Sequence, residues 1–499
     1  MSRINTNVQS LIAQRVLGQN NTGLNQALER LSTGLRINRG KDDPAGLIAS
    51  ENLRGEQKAL DQAINNSQRA DQVMTIAEGG LQEISGMLTE LQGLLTASAS
   101  EAGLSKEEKE ANQLQIDSIL QTIDRISGAT NFQGIKLLNG NFDFQVGSVS
   151  TNVADYRVNA AKFSGSSQGV NVLVTNSAQQ AGLFMSFGGA LDLTSAGASF
   201  IFEVVGSKGS RELSFSSGTS LADMTAAINT FTDVTGVTAT ASGTGIKLQS
   251  DAWGSDEFTT VKVRNAGGAA GGGIFQLNAT NFNASQTSGA IGYASASNGV
   301  TDSGQDLGAT INGVQAITRG KTARVNSDFL DVSVTLGDAA AQARANVAAF
   351  TISGGGADFQ LASKVDIGGK VSIGIQNIAA RKLGDSVTGF LDSLGAGQVN
   401  NVVDGDITDA QAVVSEAIKQ VSGIRGRIGA FQKNVIGSTI RSLGVNVENT
   451  AAAQSVIRDS DFASETASLT RSQILVSAAT NILSLANQQP QSALQLLGG

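Results

Sequence analysis

The segment Gly320-Lys321-Thr322 has the residue types that end a phosphate-binding loop. In such loops a glycine-rich backbone surrounds the phosphates and the lysine pairs with them. The pattern also needs a glycine five residues before Gly320, where this sequence has Gln315. Because that part of the backbone cradle is missing, we predict a turn before a strand instead of a nucleotide site.

A second segment, 404–409, alternates oxygen-bearing residues in the manner of a calcium loop. Such loops need glycine at the sixth position and glutamate at the twelfth, and this sequence has Asp409 and Ser415 there. A side chain that accepts a hydrogen bond at the start of a helix is the simpler role. We therefore predict that Asp406 or Thr408 caps a helix.

The chain contains no His and no Cys. These absences exclude histidine-based catalytic triads, thiolate nucleophiles, disulfides and the common zinc sites. The paired carboxylates Asp42/Asp43 and Glu107/Glu108 occur at helix starts and turns, where acidic side chains usually cap helices in solvent. We predict no catalytic residue, no cofactor and no metal, and we do not expect an enzyme.

Acidic residues outnumber basic ones, 43 to 35, which gives a formal net charge of -8. This charge disfavours nucleic acid and anionic membranes as partners. The first residues have no apolar core followed by a small-residue cleavage site, so we expect no secretory signal. The uncharged end, Ser472 to Gly499, mixes apolar residues with Ser, Asn and Gln, which predicts an amphipathic helix and not a membrane span.

Apolar residues near both ends recur at steps of three and four, the period of an α-helix. The N-terminal stripes are Leu24, Leu28, Leu31 and Leu35, then Leu81, Ile84, Leu88, Leu91 and Leu95. A capping box at 105–108 begins a further helix, whose stripe is Ile116, Ile119, Ile123 and Ile126. The C-terminal stripes are Val414, Ala417, Val421, Ile424, Ile428, Phe431 and Val435, then Leu475, Ala479, Ile482 and Ala486.

Stripes this narrow are typical of coiled coils. We predict an α+β multidomain protein in which the N- and C-terminal helices pair into a coiled-coil or helical-bundle rod. The glycine-rich middle, from about 130 to 400, would loop out as β structure, because segments such as 330–336 alternate apolar and polar residues. The terminal stripes are compatible both with an intramolecular coiled coil and with a surface for assembly.

Two longer segments carry a specific resemblance. INTN at 4–7 with ERLSTGLRINRGKDDPAG at 29–46 is similar to the N-terminal signature of bacterial flagellin, and SVIRDSDFASETASLTRSQIL at 455–475 is similar to its C-terminus. The match covers about 1–146 and 400–499. This resemblance implies a structural subunit that self-assembles into the extracellular helical filament used for swimming.

The resemblance also implies three layers and several partners. Residues 1–43 with 455–499 would form an innermost coiled-coil polymerisation layer, 44–176 with 400–454 a mainly helical layer with β-hairpins, and 177–399 the exposed variable part. It implies export through the flagellar secretion apparatus without a cleavable signal peptide. A chaperone would hold the C-terminal helix, and the filament cap and hook-junction proteins would be further partners.

We expect self-association to depend most on apolar residues of the terminal stripes. These residues are Leu24, Leu28, Leu31, Leu35, Ile424, Ile428, Phe431, Ile482 and Leu485.

The middle of the chain leaves two alternatives open. The run at 311–336, INGVQAITRGKTARVNSDFLDVSVTL, resembles an insert motif of flagellins and some hook-associated proteins, and 200–263 resembles it more weakly. The alternatives are a hook-filament junction protein and a secreted binding module or adhesin that acts through the β-rich middle. The ERLSTGLRIN and KDDPAG runs favour the filament subunit.

One segment departs from the family pattern. Many flagellins carry Gln-Arg-x-Arg-Glu-Leu in the helical layer, where an animal innate-immune receptor recognises them. This chain has Thr89, Glu90, Leu91, Gln92, Gly93 and Leu94. Both arginine positions are lost and Glu90 reverses a charge, so we expect receptor signalling to be weak or absent.

Overall fold

The computed structural model describes residues 6–100, 103–163, 165–194, 198–276 and 289–497. Ile4 and Asn5 of the INTN segment lie outside the described residues, as do the last two glycines of the uncharged end. The described residues form two compact units. Unit 1 comprises those of Met1–Gln72, Phe359–Gly369 and Ala430–Gly499, and unit 2 those of Val73–Asp358 and Lys370–Gly429.

The long helices come from the two ends of the chain, as the apolar stripes predict. The α-helices are α1 (Val8–Thr33), α2 (Pro44–Ser98), α3 (Lys106–Ala129), α4 (Leu221–Asn229), α5 (Thr232–Thr235), α6 (Asp338–Gln342), α7 (Ile407–Ala430), α8 (Gly437–Arg458) and α9 (Phe462–Leu497). Tyr293–Asn298 and Leu391–Leu394 are 3-10 helices, and Phe431–Ile436 is a π-helix. Together with the β-rich middle, this order confirms the α+β prediction.

In unit 1, the end of helix α1 differs from the first predicted stripe, Leu24 to Leu35. Helix α1 ends at Thr33, and the next residue, Gly34, has φ of 73°, a conformation that glycine adopts without the clash a side chain would cause. The Gly34 N–H donates to the Arg30 carbonyl at 2.8 Å and closes the last turn. Leu35 therefore lies beyond the helix, and the predicted stripe is too long by one member.

The π-helix changes the spacing at the end of the predicted stripe from Val414 to Val435. Phe431 and Ile436 are buried, whereas the predicted Val435 is only half-buried. A π turn contains one residue more than an α turn. The buried stripe therefore advances by five residues at this turn, and the predicted step of four falls one position short.

The helical part of unit 2 matches its predicted stripes closely. Leu81, Ile84, Leu88, Leu91 and Leu95 on α2 are all at most 1% exposed. The capping box at the start of α3 is present, because Glu108 N–H donates to Ser105 Oγ and Ser105 N–H donates to Glu108 Oε2 at 2.8 Å. In the middle of α3 the buried residue is Leu120, and the predicted Ile119 is half-buried.

Two buried glutamines hold the 375–405 segment on these helices. Gln113 Nε2 donates to the Leu394 carbonyl at 2.8 Å, and its Oε1 accepts from Val402 N–H at 2.9 Å. Gln420 Nε2 donates to the Gly384 carbonyl at 2.7 Å, and Gly384 N–H returns a bond of 3.1 Å. A buried amide is tolerated when its polar atoms are paired, so these residues fix the loop at low cost. The sequence analysis missed both.

A first β core in unit 2 lies between two antiparallel sheets. In spatial order, sheet A consists of Val314–Gln315, Gly308–Ile311, Gln168–Asn176, Asn346–Gly355 and Phe144–Gly147. Sheet B consists of Ile317–Arg319, Thr322–Asn326, Leu330–Leu336 and Val153–Ala161. Leu330, Val332, Val334 and Leu336 are buried in one cluster with Val172 and Ile352, which confirms the predicted alternation.

A second β core has the same construction with a helix added. Sheet C consists of Gly273–Gln276, Gly182–Ser186, Gly245–Ser250 and Val237–Ser242. Sheet D consists of Val300–Ser303, Phe258–Asn265, Ser199–Gly206 and Ser210–Ser216. Helix α4, capped by Ser220, contributes Met224 and Ile228 to a cluster that also contains Phe200, Phe202 and Tyr293. Further short strands are Asn131–Phe132, Ile135–Lys136, Ala357–Gln360, Lys370–Ile373, Gly384–Asp385 and Gly389–Phe390.

The two motifs that approach ligand-site spacing have structural roles. Gly320-Lys321 forms the turn between Ile317–Arg319 and Thr322–Asn326, and Lys321 Nζ pairs with Asp338 at 2.5 Å. Asp406 Oδ1 accepts from Thr408 N–H at 2.8 Å and so caps α7. These observations confirm the two predicted roles: Gly320-Lys321 is a turn before a strand, and Asp406 caps a helix.

Candidate assembly surface

Helices α1 and α9 pack as an antiparallel pair within unit 1. Asn7 Nδ2 donates to the Ala486 carbonyl at 2.8 Å, and Asn20 Nδ2 donates to the Leu475 carbonyl at 3.3 Å. Near the other end of the pair, Arg30 lies 3.6 Å from Glu465. The partner numbers fall as α1 advances, so these contacts set an antiparallel register.

The seam between the two helices combines buried small residues with half-buried leucines. The residues of α1 that are buried or half-buried along it recur at steps of three and four, and they are Ser10, Ala13, Leu17, Asn20, Leu24, Ala27 and Leu31. On the part of α9 whose side chains are described, Ala479 and Ala486 are buried, and Val476 and Leu483 are half-buried. Small side chains let two helix backbones approach closely, but they bury little apolar area. The leucines therefore supply the larger apolar contacts of the seam.

Large apolar side chains of the same helices point away from the seam. On α1, Leu11 is 57% exposed and Ile12 is 44% exposed, and on α9, Ile482 is 59% and Leu485 is 62% exposed. Val8, Val16, Leu28, Ile474 and Leu475 are also exposed. A soluble monomer rarely leaves a contiguous set of large apolar residues in water unless it binds something there. We name this set the outer apolar face.

The predicted self-association residues divide into four groups. Leu24 and Leu31 are half-buried in the seam, whereas Leu28, Ile482 and Leu485 are exposed on the outer apolar face. Leu35 lies beyond the end of α1. Ile424, Ile428 and Phe431 are buried in the single chain, with at most 8% of each exposed.

The sequence analysis missed most of the outer apolar face. Val8, Ile12 and Val16 recur at steps of four, and Leu11 follows Val8 by three, which places all four on one side of a helix. That spacing is readable in the sequence. The predicted stripe begins only at Leu24 and therefore does not include these four residues.

Comparison with known proteins identifies the family. The model of the bacterial flagellin N-terminal helical region matches residues 4–143, and that of the C-terminal helical region matches 411–497. The flagellin of Salmonella typhimurium is 29% identical over 99% of each chain, and flagellin B of Helicobacter pylori is 28% identical over 99% of each. The chain belongs to the bacterial flagellin family. Its resemblance at both termini is thereby confirmed.

Membership settles the general role. This flagellin is a structural subunit of the bacterial flagellar filament, which lies outside the cell, and it polymerises with copies of itself. A model of the flagellin hook IN motif matches residues 199–252. This match confirms the weaker of the two insert resemblances, and the one at 311–336 stays a prediction.

Solved structures of other flagellar proteins also share features with this flagellin. The D2-D3 domains of the flagellar cap protein from Serratia marcescens are 21% identical, with a TM-score of 0.24 over 37% of this chain and 92% of that one. Flagellar hook associated protein-3 from Legionella pneumophila is 10% identical, with a TM-score of 0.28 over 81% and 97%. Scores this low support no conclusion.

Among the described residues, no helix has the length and apolar character needed to cross a bilayer.

The N-terminal signature has a clear structural reason. Arg36 N–H donates to the Arg458 carbonyl at 2.7 Å, so the α1–α2 connection pairs with the end of α8. Asp43 Oδ1 accepts from Gly46 N–H at 2.9 Å at the start of α2. A side chain at Gly46 would collide with Asp43 and Ile37. The hydrogen bond from Arg39 N–H, more than any other contact, holds the pKa of Asp42 below its ordinary value.

The segment that departs from the receptor pattern lies on α2 within unit 2. Thr89, Glu90 and Gly93 are exposed, Gln92 and Leu94 are half-buried, and Leu91 is fully buried. Both positions at which the family pattern has arginine, Glu90 and Gln92, are therefore at least partly accessible to solvent.

Proposed function

We propose that the outer apolar face of α1 and α9 makes the contacts that hold one subunit to the next in the filament. Its exposure in the single chain carries this proposal, because burying one large aliphatic side chain contributes about 1.5 to 3 kcal/mol. Several such residues on each subunit would together stabilise a polymer.

The layer assignment belongs to the same proposal. Residues 1–43 with 455–499 would line the inside of the filament, 44–176 with 400–454 would surround them, and 177–399 would face the medium. The exposed apolar residues of α1 and α9 support an inner position for the first group, since contacts with neighbours on several sides remove such residues from water.

Export and the remaining partners extend this proposal. The chain would leave the cell unfolded through the flagellar secretion apparatus, with a chaperone covering α9 until assembly. The exposed residues Ile474, Ile482 and Leu485 give such a chaperone an apolar surface to cover. Contacts with the filament cap and hook-junction proteins would use the ends of the growing filament. The role is structural, and no catalysis is proposed.

The test replaces exposed apolar residues without disturbing the fold. We expect the double variant Ile482→Gln/Leu485→Gln to keep the melting temperature of the monomer, because both side chains are exposed. Filament growth from seeds, followed by light scattering and electron microscopy, should fall at least tenfold. The matched control Ile317→Gln removes an aliphatic side chain that is 81% exposed in unit 2. Normal filaments from the double variant would refute the assignment.

We also propose that innate-immune receptor signalling by this flagellin is weak or absent. The exposed Glu90 places a negative charge where the family pattern has arginine, and reversing a charge in an interface disfavours the same partner. A reporter-cell assay with purified monomer tests this directly. Full-strength activation would contradict it, and a Glu90→Arg/Gln92→Arg variant should raise the signal.

A further inference from the structure

Unit 2 contains a cavity of about 250 Å³ between helix α7 and one face of sheet B. Four cationic side chains line it, namely Arg157, Arg324, Lys419 and Arg427. Among the residues that the structure describes, no carboxylate is part of this lining. The lining therefore concentrates positive charge, although the whole chain has a net charge of -8.

The register of sheet B places two of these cations in one row. Arg324 pairs across the strands with Ser333, and Ser333 pairs with Arg157. Directly paired residues share a face of the sheet, and neighbouring strands are about 4.8 Å apart. Two guanidinium groups are thus anchored roughly 10 Å apart on one face, with a hydroxyl group between them. Like charges in such a row repel each other unless something negative lies between them.

Helix α7 supplies the opposite wall. Lys419, Gly423 and Arg427 follow one another at steps of four, which places them on one side of the helix. No atom lies within 4 Å of the position where a side chain at Gly423 would begin. Glycine therefore leaves the middle of this wall open between two cations.

The four cations are unequally neutralised. Arg324 pairs with Asp331 at 3.1 Å, Arg157 with Glu416 at 3.2 Å, and Lys419 with Glu416 at 3.6 Å. Asp155 adds a second carboxylate near Arg157, at 3.7 Å. Arg427 donates to the amide oxygen of Asn159, and no carboxylate of the described residues lies within ion-pair distance of it. Burial lowers the pKa of Arg427 to about 10; the charges of Asp331 and Asp143 oppose this shift, and the nearby Arg324 and Arg157 add to it.

We propose that this cavity binds a small tetrahedral oxyanion of the inorganic phosphate class. Guanidinium groups match the oxygen atoms of such an ion with paired N–H donors. Arg427 would supply the charge that lacks a partner, Arg157 and Arg324 would approach from the sheet, and Ser333 would donate its hydroxyl hydrogen. The ion would connect α7 to sheet B inside unit 2.

The experiment titrates inorganic phosphate into the full-length monomer by calorimetry, with chloride used to keep the ionic strength constant. We expect saturable binding of one ion per chain. Arg427→Gln should weaken the affinity about tenfold or more, because it removes the charge that lacks a partner. Gly423→Leu should weaken it similarly by filling the open wall, although it keeps every cation.

The control is Arg319→Gln, which removes a cation that is 85% exposed and lies outside the cavity. This variant should bind phosphate like the unaltered chain. Thermal unfolding provides a second measurement: phosphate should raise the melting temperature of the unaltered chain and of Arg319→Gln more than that of Gly423→Leu. If Arg427→Gln does not fold, Gly423→Leu decides the matter.

Two outcomes would overturn the proposal. One is the absence of saturable binding to the unaltered chain. The other is an equal response of all variants, which would show that phosphate acts only as a general stabilising salt. Neither result would affect the assignment of the outer apolar face, because the cavity contains no residue of α1 or α9.

Discussion

Large apolar residues are buried in the β cores of unit 2, whereas many of those in the α1–α9 pair of unit 1 are exposed. In unit 2, Phe200, Phe202, Val332 and many others are buried in two β cores within a single chain. Among the described side chains of the α1–α9 pair, the fully buried ones are alanine and serine, Leu17, Leu24 and Leu31 are half-buried, and several other leucines and isoleucines are exposed. The apolar residues of the β cores are therefore covered within one chain, whereas the outer apolar face would be covered by further copies under the function proposed above.

Deletion of residues 472–499 should have the largest effect, because it removes much of the α1–α9 pair and leaves the β cores intact. We expect no filaments from the truncated chain, because α1 loses most of its partner and the outer apolar face loses its α9 half. The β cores should remain folded, since neither cluster contains a residue from this segment. Electron microscopy and the fluorescence of Trp253, which packs against the first β core, measure the two effects separately. Filaments of normal length would contradict the expectation.

A smaller effect is expected when a substitution creates a cavity in the second β core of unit 2. Leu248 is completely buried in the second β core, so Leu248→Ala should reduce the free energy of unfolding by about 2 to 5 kcal/mol. Chemical denaturation of the monomer measures this loss. The exposed aliphatic Val234, replaced by alanine, should change stability by less than about 0.5 kcal/mol. Equal effects of the two replacements would mean that Leu248 does not lie in a closed core.

The smallest effect is expected in the seam. Ala479 is 4% exposed between α1 and α9, and Ala479→Leu should overpack the seam and destabilise the pair by about 1 to 3 kcal/mol. The neighbouring Ala478 is exposed, so Ala478→Leu serves as a matched control. Far-UV circular dichroism during heating detects the loss of helix. If Ala478→Leu destabilises the pair more, then Ala478 and not Ala479 faces α1, and the antiparallel register is wrong.

Sequence periodicity identified the helices better than their interfaces. The capping box at Ser105 and Glu108 and the stripe from Leu81 to Leu95 are local patterns with one partner face, and both were predicted correctly. The terminal helices carry two apolar stripes each, because one faces the partner helix and the other faces outward. Leu24 and Leu31 belong to the first and Leu28 to the second, yet all three fit a helical period.

Other features could not be predicted because they depend on distant neighbours. The π turn at Phe431 changes a step of four into a step of five, and Phe431 and Val435 alone fit an uninterrupted helix. Gln113 and Gln420 are polar residues in helical stripes, and only the positions of Leu394, Val402 and Gly384 explain why they are buried. The row of Arg324, Ser333 and Arg157 requires the strand register.

The sequence by itself determined the helical ends, the β-rich middle, the family and the exclusion of histidine and cysteine chemistry. These follow from residue type and local period, which act over a few residues along the chain. Only the tertiary structure decided which apolar stripe is covered and which cations share a cavity. The reason is physical: burial and charge pairing depend on what packs opposite a side chain, and that neighbour comes from hundreds of residues away.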